Sequence, residues 1–508
     1  MSIPIVIGVT GHRNIAPEIL YDLEKAVRHT LEKIKKDHPN SEVIMLNSLA
    51  SGADTICAEA AVSLGIELVC PLPMETNEYE KDFSETQLVR YRRLLKNAKR
   101  SFIVPHTEPE AEGRDYAYRQ AGIYVATHCH ILLALWDGGE PVPGGCGTAE
   151  TVSFALNGDY SAKNGAMTCR PCHVQVIRIN TPRPGTDTSD ACKTEYYGDS
   201  GLSGMILSRT EEFNELCSES SGTNDHTADA LYSDADRLSL HFAEKYNRTL
   251  AVSAVLGTLI SFSFLLYDEI ELHLMLLLCG LLLGTGMLLI KKADKSKVHE
   301  RFIEYRVLAE CARVQKNLEY AGSSMNAADL FSWAQYDKIP WITSAMYAID
   351  IFQRSTAVHS AEDFWIRDQL EYHSSASKGT AAKKKLSSGA LSMIYRLDII
   401  IYISAVIYEI LCFAGILPDA ELFRSVTKIL IGTLSAGTLF ISGYFGRLSL
   451  ERQTDDHHSM ERFYCMMLEK LRLNGQTEEL LKMLAGEELA ENFAWYSYRK
   501  EDRPGLDL

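Results

Sequence analysis

Hydrophobic periodicity divides this chain near residue 226. Upstream, short apolar runs alternate with helical patterns. Ile3–Val9, Val43–Asn47, Glu67–Cys70, Ser101–Val104, Ile131–Trp136 and Val174–Asn180 read as strands. Between them lie amphipathic or small-residue stretches of helical period, such as Ser84–Ala98, Tyr116–Cys129 and Ala149–Leu156. The run Ile131–Trp136 carries no charge, as a strand buried on both faces would. Strands alternating with helices predict an α/β domain with a parallel sheet over residues 1–183. Residues 184–225 are rich in Ser, Thr, Asp and Gly, and read as a linker or surface insertion.

Downstream the pattern changes. Four apolar runs, at residues 249–267, 272–290, 399–417 and 429–446, are each about long enough to cross a hydrocarbon core. Glu409 alone interrupts them, and an intramembrane carboxylate is a candidate pore or pathway residue. The runs form two hairpins, each with a polar helix before and after. This predicts an all-α membrane region in two units, residues 226–330 and 331–508. Lysines follow the second run and precede the third, and Arg248 and Arg447 flank the others. The loop Asp268–Glu271 has no Lys or Arg. The excess of positive charge on cytoplasmic flanks predicts a multi-pass protein with both termini cytoplasmic.

Composition narrows the partners. A net charge of −16 argues against nucleic acid as the main partner. The 12 cysteines are scattered, and only Cys169 and Cys172 are closely spaced. With no second pair to complete a zinc site, no metal or resident cofactor is expected.

Three predicted strand ends carry glycine-containing loops: Thr10-Gly11-His12-Arg13, Ser51-Gly52-Ala53-Asp54 and Gly144-Gly145-Cys146-Gly147-Thr148-Ala149-Glu150. Strand, glycine loop and helix start is the arrangement in which bare backbone N–H groups hold a phosphate. Ligands of such sheets bind beyond the carboxyl ends of the strands. Arg13 could clamp a phosphate bidentately, and Tyr118 and Arg119 could stack on or clamp a nucleotide. Arg90, Arg92 and Arg93 share an arginine-rich helix that also suits a solvated face. In the spans, Gly280 and Gly284 let helices approach closely.

These loops make residues 1–183 resemble the SLOG superfamily, which includes the Smf/DprA and lysine-decarboxylase-like (LOG) proteins. The resemblance implies a Rossmann-like sheet and a nucleotide-derived ligand held by the three loops. LOG proteins hydrolyse nucleoside monophosphates through a Pro-Gly-Gly-x-Gly-Thr-x-x-Glu loop. Here Pro143–Thr148 fit, Glu150 falls one position early, and Thr151 takes the glutamate position. One place along a helix swings a side chain about 100° around the axis. The membrane region resembles the SLATT two-transmembrane modules of bacterial conflict systems, through its hairpins, Tyr305–Glu310 and Trp365–Tyr372. Together the resemblances imply a homo-oligomeric effector in the bacterial inner membrane. It would sense a cyclic oligonucleotide or cyclic ADP-ribose-like signal, made by an enzyme encoded nearby, and permeabilise the membrane in anti-phage immunity of the CBASS or Thoeris type. The alternative is a membrane-anchored LOG-type phosphoribohydrolase using Glu150 and Arg119.

Overall fold

The computed structural model describes residues 3–105, 113–142, 144–158, 174–218, 226–352 and 358–501. The Cys169–Cys172 pair lies outside the described residues.

Among the described residues, six parallel strands and one antiparallel strand form a single sheet. They are β1 (Ile5–Gly11), β2 (Val43–Leu46), β3 (Glu67–Leu72), β4 (Arg100–Ile103), β5 (Ile131–Trp136), β6 (Gln175–Asn180) and β7 (Thr194–Tyr197). The order is β4-β3-β2-β1-β5-β6-β7, with only β7 antiparallel to its neighbour. β1 pairs with β2 on one side (Ile5 opposite Val43) and with β5 on the other (Gly8 opposite Leu132). Winding therefore reverses between β1 and β5, the switch point of a doubly wound sheet.

Helices occur at close to the predicted limits. They are α1 (Leu20–Asp37), α2 (Ala53–Ser63), the short α3 (Thr76–Tyr79), which was not expected, α4 (Glu85–Asn97), α5 (Arg114–His128) and α6 (Thr148–Asn157). Ser84 and Gln87 close a capping box at the start of α4. Ile5, Ile7 and Val9 join a core with Leu23, Val27 and Leu31 of α1 and with Ile56 and Cys57 of α2. α5 covers the opposite face. A Cβ at Gly8 would lie 2.8 Å from Val125 Cγ1 and 2.9 Å from Cys129 Sγ, so the missing side chain lets α5 sit on β1.

The stretch expected as a linker holds β7 and α7 (Ser200–Ser218). The α7 side chain Asn214 is buried, accepting the Ile3 amide at 2.7 Å and donating to the Ile3 carbonyl at 2.8 Å. Its polar composition hid a helix that caps the first strand. The compact unit is also larger than residues 1–183: it comprises Met1–Asp234, Cys311–Glu319 and Ser324–Thr356. Within it, His128 Nε2 lies 3.1 Å from Asp350 Oδ2, and Arg100 Nη1 donates to the Ile351 carbonyl at 2.5 Å.

The second unit comprises Ala235–Glu310, Tyr320–Ser323 and Ala357–Leu508. The remaining helices are α8 (Ala228–Ile270), α9 (Leu274–Lys295), α10 (Val298–Tyr320), α11 (Trp333–Lys338), α12 (Pro340–Asp350), α13 (Arg367–Phe413), α14 (Glu421–Arg447), α15 (Leu450–Asn474) and α16 (Glu478–Glu501). Among the described residues, four helical stretches are long and apolar enough to cross a membrane: Ala228–Ile270, Leu274–Tyr320, Glu362–Phe413 and Glu421–Asn474. Their apolar side chains Leu277, Leu281, Leu288, Tyr402 and Leu439 are exposed, as a lipid-facing surface requires. The last described helix, α16, is 24 residues long. It is anchored by buried Glu488, whose Oε1 accepts Trp365 Nε1 and Tyr464 Oη, each at 2.6 Å.

Glu409 sits near the end of α13, where Arg424 donates to both its oxygens at 2.6 and 2.8 Å and also to Asp419 at 2.9 Å. Its charge is matched at the hairpin tip, and the length of the apolar run had concealed this partner.

Candidate functional site

At the switch point, beyond the carboxyl ends of β1 and β5, lies a cavity of about 550 Å³. That is within the usual size range of small-molecule sites. Three loops build it, and short backbone approaches lock them together.

The first loop, at the end of β1, is stitched to the second. The Ala53 amide donates to the His12 carbonyl at 3.0 Å. A Cβ at Gly52 would stand 2.5 Å from the carbonyl oxygens of both His12 and Arg13, and Gly52 has φ +85°. Only glycine meets both conditions. Buried Asn47 shapes the second loop. Its amide donates to the Asp54 carbonyl at 2.9 Å, and its oxygen accepts the Leu49 amide at 2.7 Å. Leu49 is held at φ 58°, a left-handed conformation that leucine rarely adopts.

Asp54, in the first turn of α2, is buried and lines the cavity. Burial pushes its carboxyl up to about 7, against the opposing Ala50 amide and the Arg13 charge. Near neutral pH this group is therefore poised between an acid and a carboxylate.

The third loop closes on itself. Glu150, in the first turn of α6, accepts the Val142 amide on Oε1 at 2.6 Å and the Gly147 amide on Oε2 at 2.9 Å. Gly145 leaves room for this: a Cβ there would meet Glu150 Oε1 at 2.4 Å. The N–H groups of Thr148 and Ala149 begin α6 and have no acceptor within the helix. Both residues line the cavity, so these amides and the positive end of the α6 dipole are available to an anion.

Two arginines line the space. Arg13 lies over the Tyr118 ring, 4.9 Å from its centroid. Arg183 pairs with Asp137 at 3.0 Å. His12 Nε2 faces both the Asp137 amide (3.2 Å) and the Asp137 carboxylate (3.1 Å). The amide needs a lone pair there and the carboxylate needs a proton. Burial lowers the His12 pKa, assisted by Arg183 and opposed by Asp137, which favours the neutral ring accepting from the amide. Asp137 is itself held low despite partial burial, by the Gly139 amide, His12 and Arg183.

Both oxygens of Glu150 are engaged in the loop. The Cys146 thiol is pushed up by burial and by Asp115 and Glu150, which suppresses its nucleophilic thiolate. The rest of the lining combines polar groups such as Thr10 and Asn14 with the aromatic side chains Tyr79, Tyr118 and Trp136 and the carboxylates Asp115 and Glu140.

Of the residues singled out by sequence, Thr10, Gly11, His12, Arg13, Asp54, Gly147, Thr148 and Glu150 line the cavity. Ser51, Gly52, Gly144 and Gly145 do not; Gly52 and Gly145 act by permitting close approach. Arg119 is also outside, with its guanidinium over Phe154 at 5.3 Å. Its neighbour Tyr118, one position earlier on α5, faces in. Arg90 and Arg93 bind Glu59, and Arg92 binds Glu80, on the surface. Sequence reasoning missed Asn47, Tyr79, Asp115 and the cavity role of Arg183. The tetrad Val-Pro-Gly-Gly drew attention to the glycines, whereas Asn47 looked like an ordinary strand end.

The chain matches no protein-family model and has no significant match among curated proteins.

Proposed function

We propose that this protein is a membrane effector that senses a nucleotide-derived second messenger and, on binding it, permeabilises or disrupts the membrane. The observation that carries this reading is the 550 Å³ cavity at the switch point, where α6 amides and two arginines face one space while Glu150 is locked into the loop. A phosphate has donors there, and a base has aromatic faces on Tyr118 and Trp136. Glu150, the loop's counterpart of a hydrolase glutamate, has both oxygens engaged by loop amides, which disfavours the phosphoribohydrolase alternative.

The four apolar helices on the same chain supply the output. Ligand shifts such a system only by binding one of its states more tightly than the other. Resemblance to the SLOG and SLATT classes supports a cyclic oligonucleotide or cyclic ADP-ribose-like ligand. It also supports homo-oligomerisation, a signal-producing enzyme encoded nearby, and anti-phage abortive infection of the CBASS or Thoeris type. The distribution of Lys and Arg supports a multi-pass protein of the bacterial inner membrane with both termini cytoplasmic.

The test uses the full chain in lipid nanodiscs, because the ligand-binding unit includes segments far beyond residue 183. Calorimetry against panels of cyclic di- and trinucleotides and cyclic ADP-ribose isomers should reveal one binder. That compound should trigger dye release from liposomes carrying the protein. Absence of binding across both panels overturns the reading.

A further inference from the structure

Arg499 of α16 is 4% exposed, yet among the described residues no carboxylate pairs with it. Its Nη1 donates to the Arg447 carbonyl at 2.6 Å, and its Nε has no partner. Three rings surround it, those of Tyr246, Phe302 and Trp495, at 5.7, 5.5 and 5.9 Å. Cation–π contacts offset only part of the desolvation of a buried guanidinium. Such a group calls for an anion.

Arg499 lines a cavity of about 620 Å³. Lys383 is the second cation in its wall, and among the described residues no acidic residue lines it. The remaining wall is largely apolar, with Phe302, Leu386, Phe445, Leu448 and Trp495. A small inorganic ion would leave that surface uncovered, so the ligand needs a large apolar part as well as a charge.

A second cavity, of about 390 Å³, supplies the place for it. The two share Tyr444, and Arg447, whose carbonyl holds Arg499, lines the second. This groove runs along Leu250–Ser261 of α8, Leu283–Ile290 of α9 and Leu439–Arg447 of α14. Those are the ends of three apolar helices nearest the basic flanks Arg248, Lys291 and Lys292. Small residues keep the groove open. A Cβ at Gly443 would meet nothing within 4 Å, and one at Gly286 would meet only Leu256, at 3.9 Å.

The geometry points to a binding site for one anionic phospholipid, its phosphate between Arg499 and Lys383 and an acyl chain in the groove past Tyr444. Charge selects the headgroup, and the continuity of a basic cavity with an apolar groove selects a lipid over a soluble anion. The site belongs wholly to the membrane-associated unit and requires nothing of the nucleotide cavity.

The purified full chain in detergent would be titrated with equimolar dioleoyl phosphatidylglycerol and dioleoyl phosphatidylcholine and read by native mass spectrometry. Phosphatidylglycerol should be retained roughly tenfold over phosphatidylcholine, given two cations within reach of its phosphate. Lys383→Ala should narrow that preference severalfold. Gly443→Leu, which builds into open space, should abolish retention of both lipids with an unchanged circular dichroism melt. Arg499→Gln should lose the preference and Arg499→Lys should keep most of it. Should the Arg499 variants fail to fold, Lys383→Ala and Gly443→Leu carry the test. Equal retention of the two lipids overturns the proposal, as does wild-type retention in Gly443→Leu. Displacement of the lipid by inorganic phosphate at comparable concentration would also overturn it, marking a soluble-anion site.

Discussion

The carboxylate of Glu150 accepts the Gly147 amide at 2.9 Å, so the glycine loop is clasped by the helix it precedes. This clasp is structural, with its second arm on the Val142 amide. Glu150→Ala leaves two loop amides without their charged acceptor, a loss of about 1–3 kcal/mol. A lowered thermal midpoint and weakened ligand binding are expected. Base release from nucleoside monophosphates should stay at background in both proteins. A wild-type release activity that vanishes in Glu150→Ala would restore the hydrolase reading.

Asp54 sets a pH dependence. Its folded pKa of about 7 lies well above the ordinary 3.8. Between those values the folded chain binds more protons than the unfolded one, so stability falls as pH rises across that window. An anionic ligand facing Asp54 favours its protonated form. Affinity should therefore fall as pH rises through neutrality, and binding just above neutrality should take up a proton. Calorimetry in buffers of different ionisation enthalpy reads that proton directly. Asp54→Asn should flatten both dependences; an unaltered pH profile would remove Asp54 from the site.

The sheet was legible in the sequence because strands buried on both faces read as uncharged apolar runs. The three loops were legible because glycine marks strand ends that approach other backbone. What was hidden depends on helix phase and on distant packing. Arg119 and Tyr118 are adjacent in sequence but about 100° apart around α5, and only the sheet decides which one faces the cavity. Short β7 is largely exposed and carries no core pattern. The packing of Cys311–Glu319 and Ser324–Thr356 into the first unit leaves no local mark, because those helices resemble any other amphipathic segment. Likewise, Glu409 looked isolated because its partner Arg424 lies 15 residues away across the hairpin turn.

Gly52 and Gly65 separate steric need from conformational need. Both have positive φ, +85° and +66°. At Gly65 a Cβ would meet nothing within 4 Å, so Gly65→Ala carries only backbone strain, about 1 kcal/mol. At Gly52 the same methyl collides with two carbonyl oxygens that join the first two loops. Gly52→Ala should lower the thermal midpoint further and abolish ligand binding, while Gly65→Ala keeps full affinity. Equal effects in thermal-shift and binding assays would mean that the loops are not coupled through this contact.

Arg13 and Arg90 distinguish a ligand cation from a surface one. Arg13 lines the cavity beside Tyr118, at a distance from which a guanidinium can reach a bound phosphate. Arg90 spends its charge on Glu59, on the exposed side of α4. Exposed pairs contribute about 0–1 kcal/mol, so Arg90→Ala should leave ligand affinity unchanged. Arg13→Ala removes a charge-assisted contact and should weaken binding roughly tenfold to a hundredfold. The fold should persist, since Arg13 is exposed and its aromatic contact is a minor stabiliser. Arg13→Lys keeps the charge and loses the planar fork, so an intermediate affinity is expected. Titrating all three variants with the same nucleotide by calorimetry, at two salt concentrations, separates the contributions. Affinity that depends on salt for wild type and much less for Arg13→Ala would place the Arg13 charge on the phosphate. Wild-type affinity in Arg13→Ala would move the anion site to the α6 amides and Arg183 alone.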